Sequence, residues 1–222
     1  MCIRDSFYCE GSTISLKGST TRKIAFERTS KQHVRISQNT VKDSVLVEKM
    51  LMNKQNFKSA KDVDGFVPQA SGLYCIRIKN VHLLPEPFGT ILLERGHDIL
   101  YIGIASENLY NRFLNQELRA KGHGTFFRSM GAVLGYKPPK GSLIEKRNKK
   151  NYKFSKTDEL KIIGWINENL MVNWVESAGD LDSLETSLIV KYLPLLNLSK
   201  NPAALQILSY LRKECVEIAN RN

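Results

Sequence analysis

Gly72-Leu73-Tyr74-Cys75-Ile76-Arg77-Ile78 and, further on, Asp98-Ile99-Leu100-Tyr101-Ile102-Gly103-Ile104 are two strand-like stretches around which the rest of the chain is organised. The first sets Leu73, Cys75 and the β-branched Ile76 and Ile78 among Tyr74 and Arg77, a mixture that suits a pleated, partly buried strand. The second is more apolar and has the length of another strand. Between them, His82 to Gly96 carries Pro85, Pro87, Gly89 and Gly96. That composition predicts a long hairpin connection rather than a helix, and hence an antiparallel pair.

After the second strand, Ser106 suits an N-cap, Glu107 a first turn, and Leu109, Phe113, Leu114 and Leu118 form an apolar stripe, so a helix is expected to about Ala120. Another runs from Thr125, with Phe126, Phe127, Met130, Val133 and Leu134 at helical spacing, to about Gly135. Further helices are expected at Asp158 to Leu170, at Leu181 to Tyr192, and from Pro202 to about Arg212; Met171 to Val175 is expected as a third strand. Upstream, residues 7–67 mix polar and scattered apolar positions and hold one amphipathic helix, Asp43 to Asn53, with Val45, Leu46, Lys49 and Met50 at helical spacing. A Val67-Pro68 step closes that region, and no internal repeat is visible.

The chain has 222 residues, 42% hydrophobic and 25% charged, which is ordinary globular material for one domain with a substantial addition, or two small ones, at roughly 150 residues per domain. Lys and Arg outnumber Asp and Glu by 33 to 22, a formal charge of +11 that favours polyanionic partners or solubility. The charge is concentrated between Pro138 and Lys156, where Lys140, Lys146, Arg147, Lys149, Lys150, Lys153 and Lys156 face Glu145 alone. Such a run is usually a mobile, solvated loop, but it also suits a phosphate backbone. Cys2, Cys9, Cys75 and Cys215 form no CxxC pair and no cluster with His at zinc-ligand spacing, which fits a reducing, cytoplasmic setting. The longest apolar stretch, Leu188 to Leu196, contains Lys191 and Pro194, so no membrane span is expected, and no secretory signal is visible. Met1 to Ser6 resembles a translated sequencing adaptor and is left out of the functional reading.

The order of chemistry-bearing residues is informative: a Tyr-bearing strand, a Gly-containing strand with another Tyr, a helix with Arg112, and a later helix with a lone inward Glu185. Each type has a use in phosphodiester cleavage. A carboxylate holds a hard divalent cation whose shell is completed by water and substrate oxygens, and the cation polarises the phosphate. A guanidinium forks onto nonbridging phosphate oxygens and offsets charge in the transition state. A tyrosine relays a proton, although a pKa near ~10 makes its phenolate scarce at neutral pH without a nearby cation.

Gly72-Leu73-Tyr74 followed by Tyr101-Ile102-Gly103 resembles the paired signature of the GIY-YIG nuclease superfamily. Leu109 to Arg112 is similar to its Leu-x-x-Arg, and Leu184-Glu185 through Leu188-Ile189, Tyr192, Pro194 and Asn197 is similar to its Glu-helix followed by Pro and Asn. The resemblance covers about Pro68 to Pro202. It implies an α/β fold of α+β type, a small central antiparallel sheet flanked by helices, with the site across one sheet face, an N-terminal extension (residues 1–67), a basic insertion, and a C-terminal helix (residues 203–222). It also implies a Mg²⁺- or Mn²⁺-dependent endonuclease acting on DNA, with RNA left open. Tyr74 would be general base or relay, Tyr101 would position water or phosphate, Arg112 would bind the phosphate, Glu185 the metal, and Asn197 would brace the site. His123, in Gly122-His123-Gly124-Thr125, looks like a family histidine that binds phosphate or assists proton transfer. The sequence departs from the pattern at Leu73, at Ile104, at Gln116 where several members have His, and by one extra residue between Tyr101 and Arg112.

Taken singly, these residues have plainer readings: strand aromatics, a solvated Arg, a capping His, a surface Glu and a turn Asn. Glu176, Asp180 and Asp182 lie in a strand-to-helix connection where Asp is common, and receive no catalytic role. Lys140, Lys146, Arg147, Lys149, Lys150 and Lys153 are expected to track a nucleic-acid backbone. The alternatives are a non-catalytic nucleic-acid-binding module, or a subunit of a repair or defence assembly.

Overall fold

The computed structural model describes residues 43–222, and within it residues 44–222 form one compact unit. The segment 7–42, and with it most of the expected N-terminal extension, lies outside the described residues. The centre is an antiparallel four-stranded sheet in the order β1 (Lys58–Ser59), β4 (Leu170–Glu176), β2 (Gly72–Ile78), β3 (Ile99–Ala105). The short β1 carries too little pattern to be seen in the sequence; its pairing with β4 joins residues upstream of Val67 to the same sheet.

β2 is flanked on both sides, and every one of its residues is buried, more than the partial burial its composition suggested. Its alternate side chains serve two cores. Tyr74, Ile76 and Ile78 join Tyr101 and Val172 beneath the π-helix Tyr110–Leu118, α3 (Thr125–Val133), α4 (Lys156–Asn169) and α6 (Gln206–Asn220). Leu73 and Cys75 join Ile102 and Val175 on the opposite face, against Leu51 of α1 (residues 43–52) and Leu181, Leu188 and Ile189 of α5 (Leu181–Tyr192).

Several expectations change here. The connection between β2 and β3 contains α2 (Phe88–Glu94), which the prolines do not prevent because Pro85 and Pro87 stand before it, where no helical N–H is needed; Gly96, at φ +68°, follows its end. In α1 it is Leu51 that is buried, while Val45, Leu46 and Met50 are exposed. Ser106 is not a cap; the Asn108 carboxamide accepts the Asn111 N–H instead. Pro202 lies in a turn, and α6 begins at Gln206 and places Leu208, Cys215 and Ala219 in the main core.

The basic run is anchored. Leu143, Tyr152 and Phe154 are buried, the Leu143 N–H donates to the Ala219 carbonyl at 2.7 Å, and the Asn220 amide donates to the Lys149 carbonyl at 2.8 Å. Three apolar residues among the cations bury enough surface to hold the loop on the domain.

The outer edge of β3 is covered by the chain after α5. The Leu195 and Leu196 N–H groups donate to Ile99 and Leu100, and the Asn197 side chain exchanges two hydrogen bonds with the Ile102 backbone, at 3.0 and 2.8 Å. This satisfies an edge that would otherwise be open to pairing. Among the described residues no helix is long and apolar enough to cross a membrane.

Candidate active site

Strand register brings the two tyrosines together. Tyr74 faces Gly103 and Ile76 faces Tyr101, so both phenols project from one face, their rings 6.2 Å apart and inclined by 22°. Gly103 is required by this packing: a Cβ there would stand 2.5 Å from the Tyr74 hydroxyl and 2.9 Å from the Tyr101 ring. Gly72 is required for a different reason, since its Cβ would stand 2.2 Å from the Val175 carbonyl of the neighbouring strand. Tyr74 also stacks on Phe113 at 4.7 Å, which denies it room to retreat. Gly103→Ala should therefore cost about 1–3 kcal/mol by overpacking. Gly164→Ala, in an exposed helical position where a Cβ meets nothing within 4 Å, should instead stabilise by about 1 kcal/mol. Thermal melts of the two variants check both signs.

Arg112 projects from the π-helix. Its guanidinium donates to Gln116 Oε1 at 3.0 Å and pairs with Glu117 Oε1 at 3.0 Å. In an i→i+5 winding, residue 117 comes beneath residue 112, whereas α-helical spacing favours 115 and 116. The sequence does not single out Glu117 for this reason: within an amphipathic stripe it looks like one more polar residue. It is fully buried and accepts N–H groups from Thr125 at 3.1 Å and Phe127 at 3.3 Å, at the positive N-terminal end of α3. Gly124 allows that approach, because a Cβ there would lie 2.5 Å from Glu117 Oε2. The Tyr74 hydroxyl stands 3.5 Å from Glu117 Oε1.

These contacts set the electrostatics. Burial, and after it Glu117, push the Tyr74 phenol well above the ordinary tyrosine range, and the same two causes raise Tyr101. Burial pushes the Glu117 carboxyl up, against the pull of Arg112 and the α3 amides. Both phenols are therefore protonated at neutral pH.

Tyr74, Tyr101, Arg112 and Glu185 line one open cleft of about 550 Å³, with Ser106, Asn108 and Gln116 among its other walls. Glu185 comes from α5, the helix packed on the opposite sheet face, so the cleft is not confined to the single face expected from the sequence. Its Oε2 accepts from the Lys200 ammonium at 2.8 Å, and Lys200 also pairs with Asp182 at 2.5 Å. Asn197 does not line the cleft; it clamps β3 next to Tyr101. His123 is also absent from the cleft walls and lines a second cavity with Lys146, Arg147 and Lys153. Lys140, Lys149 and Lys150 line neither cavity.

Among the described residues no group of three or more His, Cys, Asp or Glu could hold a metal ion. The cleft wall carries two carboxylates, Glu107 and the Lys200-paired Glu185, and a hard cation held there would take the rest of its shell from water and phosphate oxygens.

Two tyrosines on adjacent strands, an arginine on the following helix and a carboxylate on a later one thus meet in one cleft. A family model described as the GIY-YIG catalytic domain matches residues 72–214, well over half of the chain, and the chain belongs to that family. The match runs past Pro202 into α6, as the packing of that helix does. Comparisons with curated proteins and with solved structures returned no match. The family is one of nucleases, which take nucleic acid as substrate and generally use divalent metal ions.

Proposed function

We propose that the protein is a divalent-metal-dependent endonuclease that hydrolyses a DNA phosphodiester bond, with Glu185 as the metal ligand and water as nucleophile. The observation that carries this is the single cleft shared by Tyr74, Tyr101, Arg112 and Glu185, contributed by four elements. A Mg²⁺ or Mn²⁺ ion on Glu185 would supply Lewis-acid polarisation of the phosphate.

The chain's own groups do the remainder. Arg112, oriented by Glu117 and Gln116, offers donors to nonbridging oxygens and offsets the charge that builds there. Tyr101 holds the attacking water or a phosphate oxygen. Tyr74 accepts a proton from the water side and passes one to Glu117, its neighbour at 3.5 Å. Asn197 keeps β3, and thus Tyr101, in register.

Purified protein should cut labelled DNA with Mg²⁺ or Mn²⁺ and stop on chelation. Because the relay ends on Glu117, whose carboxyl is pushed up by burial, the rate should climb with pH as that carboxyl ionises and then level off. Tyr74→Phe should lower kcat by about 10²–10⁴ and flatten that rise. An unchanged pH profile in this variant rejects Tyr74 as base or relay.

The Lys200 ammonium on Glu185 favours a second reading, a non-cleaving nucleic-acid-binding module in which a lysine stands where the cation would be. Salt-sensitive binding without metal-dependent turnover is its signature. The setting proposed for either reading is the cytoplasm.

A further inference from the structure

Two sequence features do not line the cleft: the Gly122-His123-Gly124 turn and the cationic run after Pro138. The fold brings them into one place. A cavity of about 570 Å³ is lined by His123, Leu143, Lys146, Arg147, Lys153 and Phe154, among others. One buried arginine ties its two lips together: Arg128 donates to the His123 carbonyl at 3.3 Å, the Lys150 carbonyl at 3.1 Å and Asn151 Oδ1 at 3.0 Å. The floor is held too, since Phe154 packs on the rings of Phe127 and Tyr152.

The lining combines two chemistries. Leu143 and Phe154 give an apolar floor; Lys146, Arg147 and Lys153 give a cationic rim. A bare phosphate has no use for the floor, and an apolar ligand has no use for the rim. A nucleotide, with a flat base and an anionic phosphate, uses both. Burial, then Lys153 and Arg128, hold the His123 imidazole below its ordinary range, leaving a neutral ring at the mouth that can lie against a base. The cavity is also close to the cleft. Arg112 Nη2 is 3.5 Å from Thr125 Oγ1, and His123 is two residues from Thr125, at most about 7.6 Å between Cα atoms.

We propose that this cavity takes one unpaired nucleotide of the DNA strand held in the cleft, its base on Leu143 and Phe154 and its phosphate against Lys146, Arg147 and Lys153. The substrate class is then DNA with an unpaired or extruded base beside the scissile bond, since a base already out of the stack enters with the least unstacking cost. The inference rests on the nuclease reading for its meaning, but its test does not depend on cleavage.

Binding is measured by anisotropy with the full chain carrying Glu185→Ala, using a fully paired duplex and the same duplex with one bulged nucleotide. The protein should prefer the bulged duplex. His123→Ala, at an exposed position, and the cavity-filling Ser142→Trp, its fold verified by melting, should each weaken bulged-duplex binding about tenfold and paired-duplex binding less than twofold. Equal loss on both duplexes, or no preference before substitution, overturns the proposal. Failure of the unsubstituted protein to cut in Mg²⁺ or Mn²⁺ would overturn the nuclease reading instead and leave this binding result standing.

Discussion

Glu185→Ala should abolish cleavage, by on the order of a thousandfold or more in single-turnover rate, while DNA affinity changes little. The size follows from losing a Lewis acid worth several kcal/mol at the transition state, where 1.36 kcal/mol is a factor of ten. The fold should survive, because Lys200 keeps its pairing with Asp182 and is not left as an isolated cation. Rate and binding are measured on one labelled duplex, with and without metal. Cutting retained within tenfold would remove Glu185 as metal ligand; cleavage and affinity lost together would indicate a structural role.

Glu117→Ala should be the most destabilising single change at the site. Truncation strips a buried acceptor from the Thr125 and Phe127 amides and removes the partner of Arg112. Breaking a buried pair costs about 3–5 kcal/mol, and Arg112 is a third exposed, so about 3 kcal/mol is expected. For a unit of this size that is roughly 6–12 °C in Tm. Glu117→Gln keeps one acceptor but presents an amide N–H to donors on the other side, so it should fall between Ala and the unsubstituted protein. A Tm within 2 °C for the Ala variant would show that the network around Glu117 does not hold the site. In the Gln variant, a kcat loss larger than its Tm shift explains, with KM unchanged, would separate the orienting of Arg112 and Tyr74 from folding alone.

The two predictions differ in how far the sequence anticipates them. Glu185 is visible because its neighbours, Leu184, Leu188, Ile189, Tyr192, Pro194 and Asn197, surround it with a local pattern. Glu117 has no such frame, since its importance comes from a π-helical winding and from the N-terminus of α3 arriving beneath it. The same contrast separates Gly103 from His123. The glycine lies two residues from Tyr101 in a short motif that marks the position, and Tyr74 packs over it. The histidine stands in a turn, and where it faces depends on how the basic run folds back on α3 and α6.

Local order in the chain was enough to determine β2, β3, β4, α5, the antiparallel pairing, the family, and the four residues that meet in the cleft, because strand and helix periods and short motifs are written in consecutive residues. Tertiary structure alone decided that β1 completes the sheet, that α2 forms between the prolines and Gly96, that the cationic run is pinned by Leu143, Tyr152 and Phe154, and that Glu117 supports Arg112 and Tyr74. Each of these depends on groups distant in sequence becoming neighbours. What a buried carboxylate or a charged loop does is set by the partners that close around it, and those partners have no local signature.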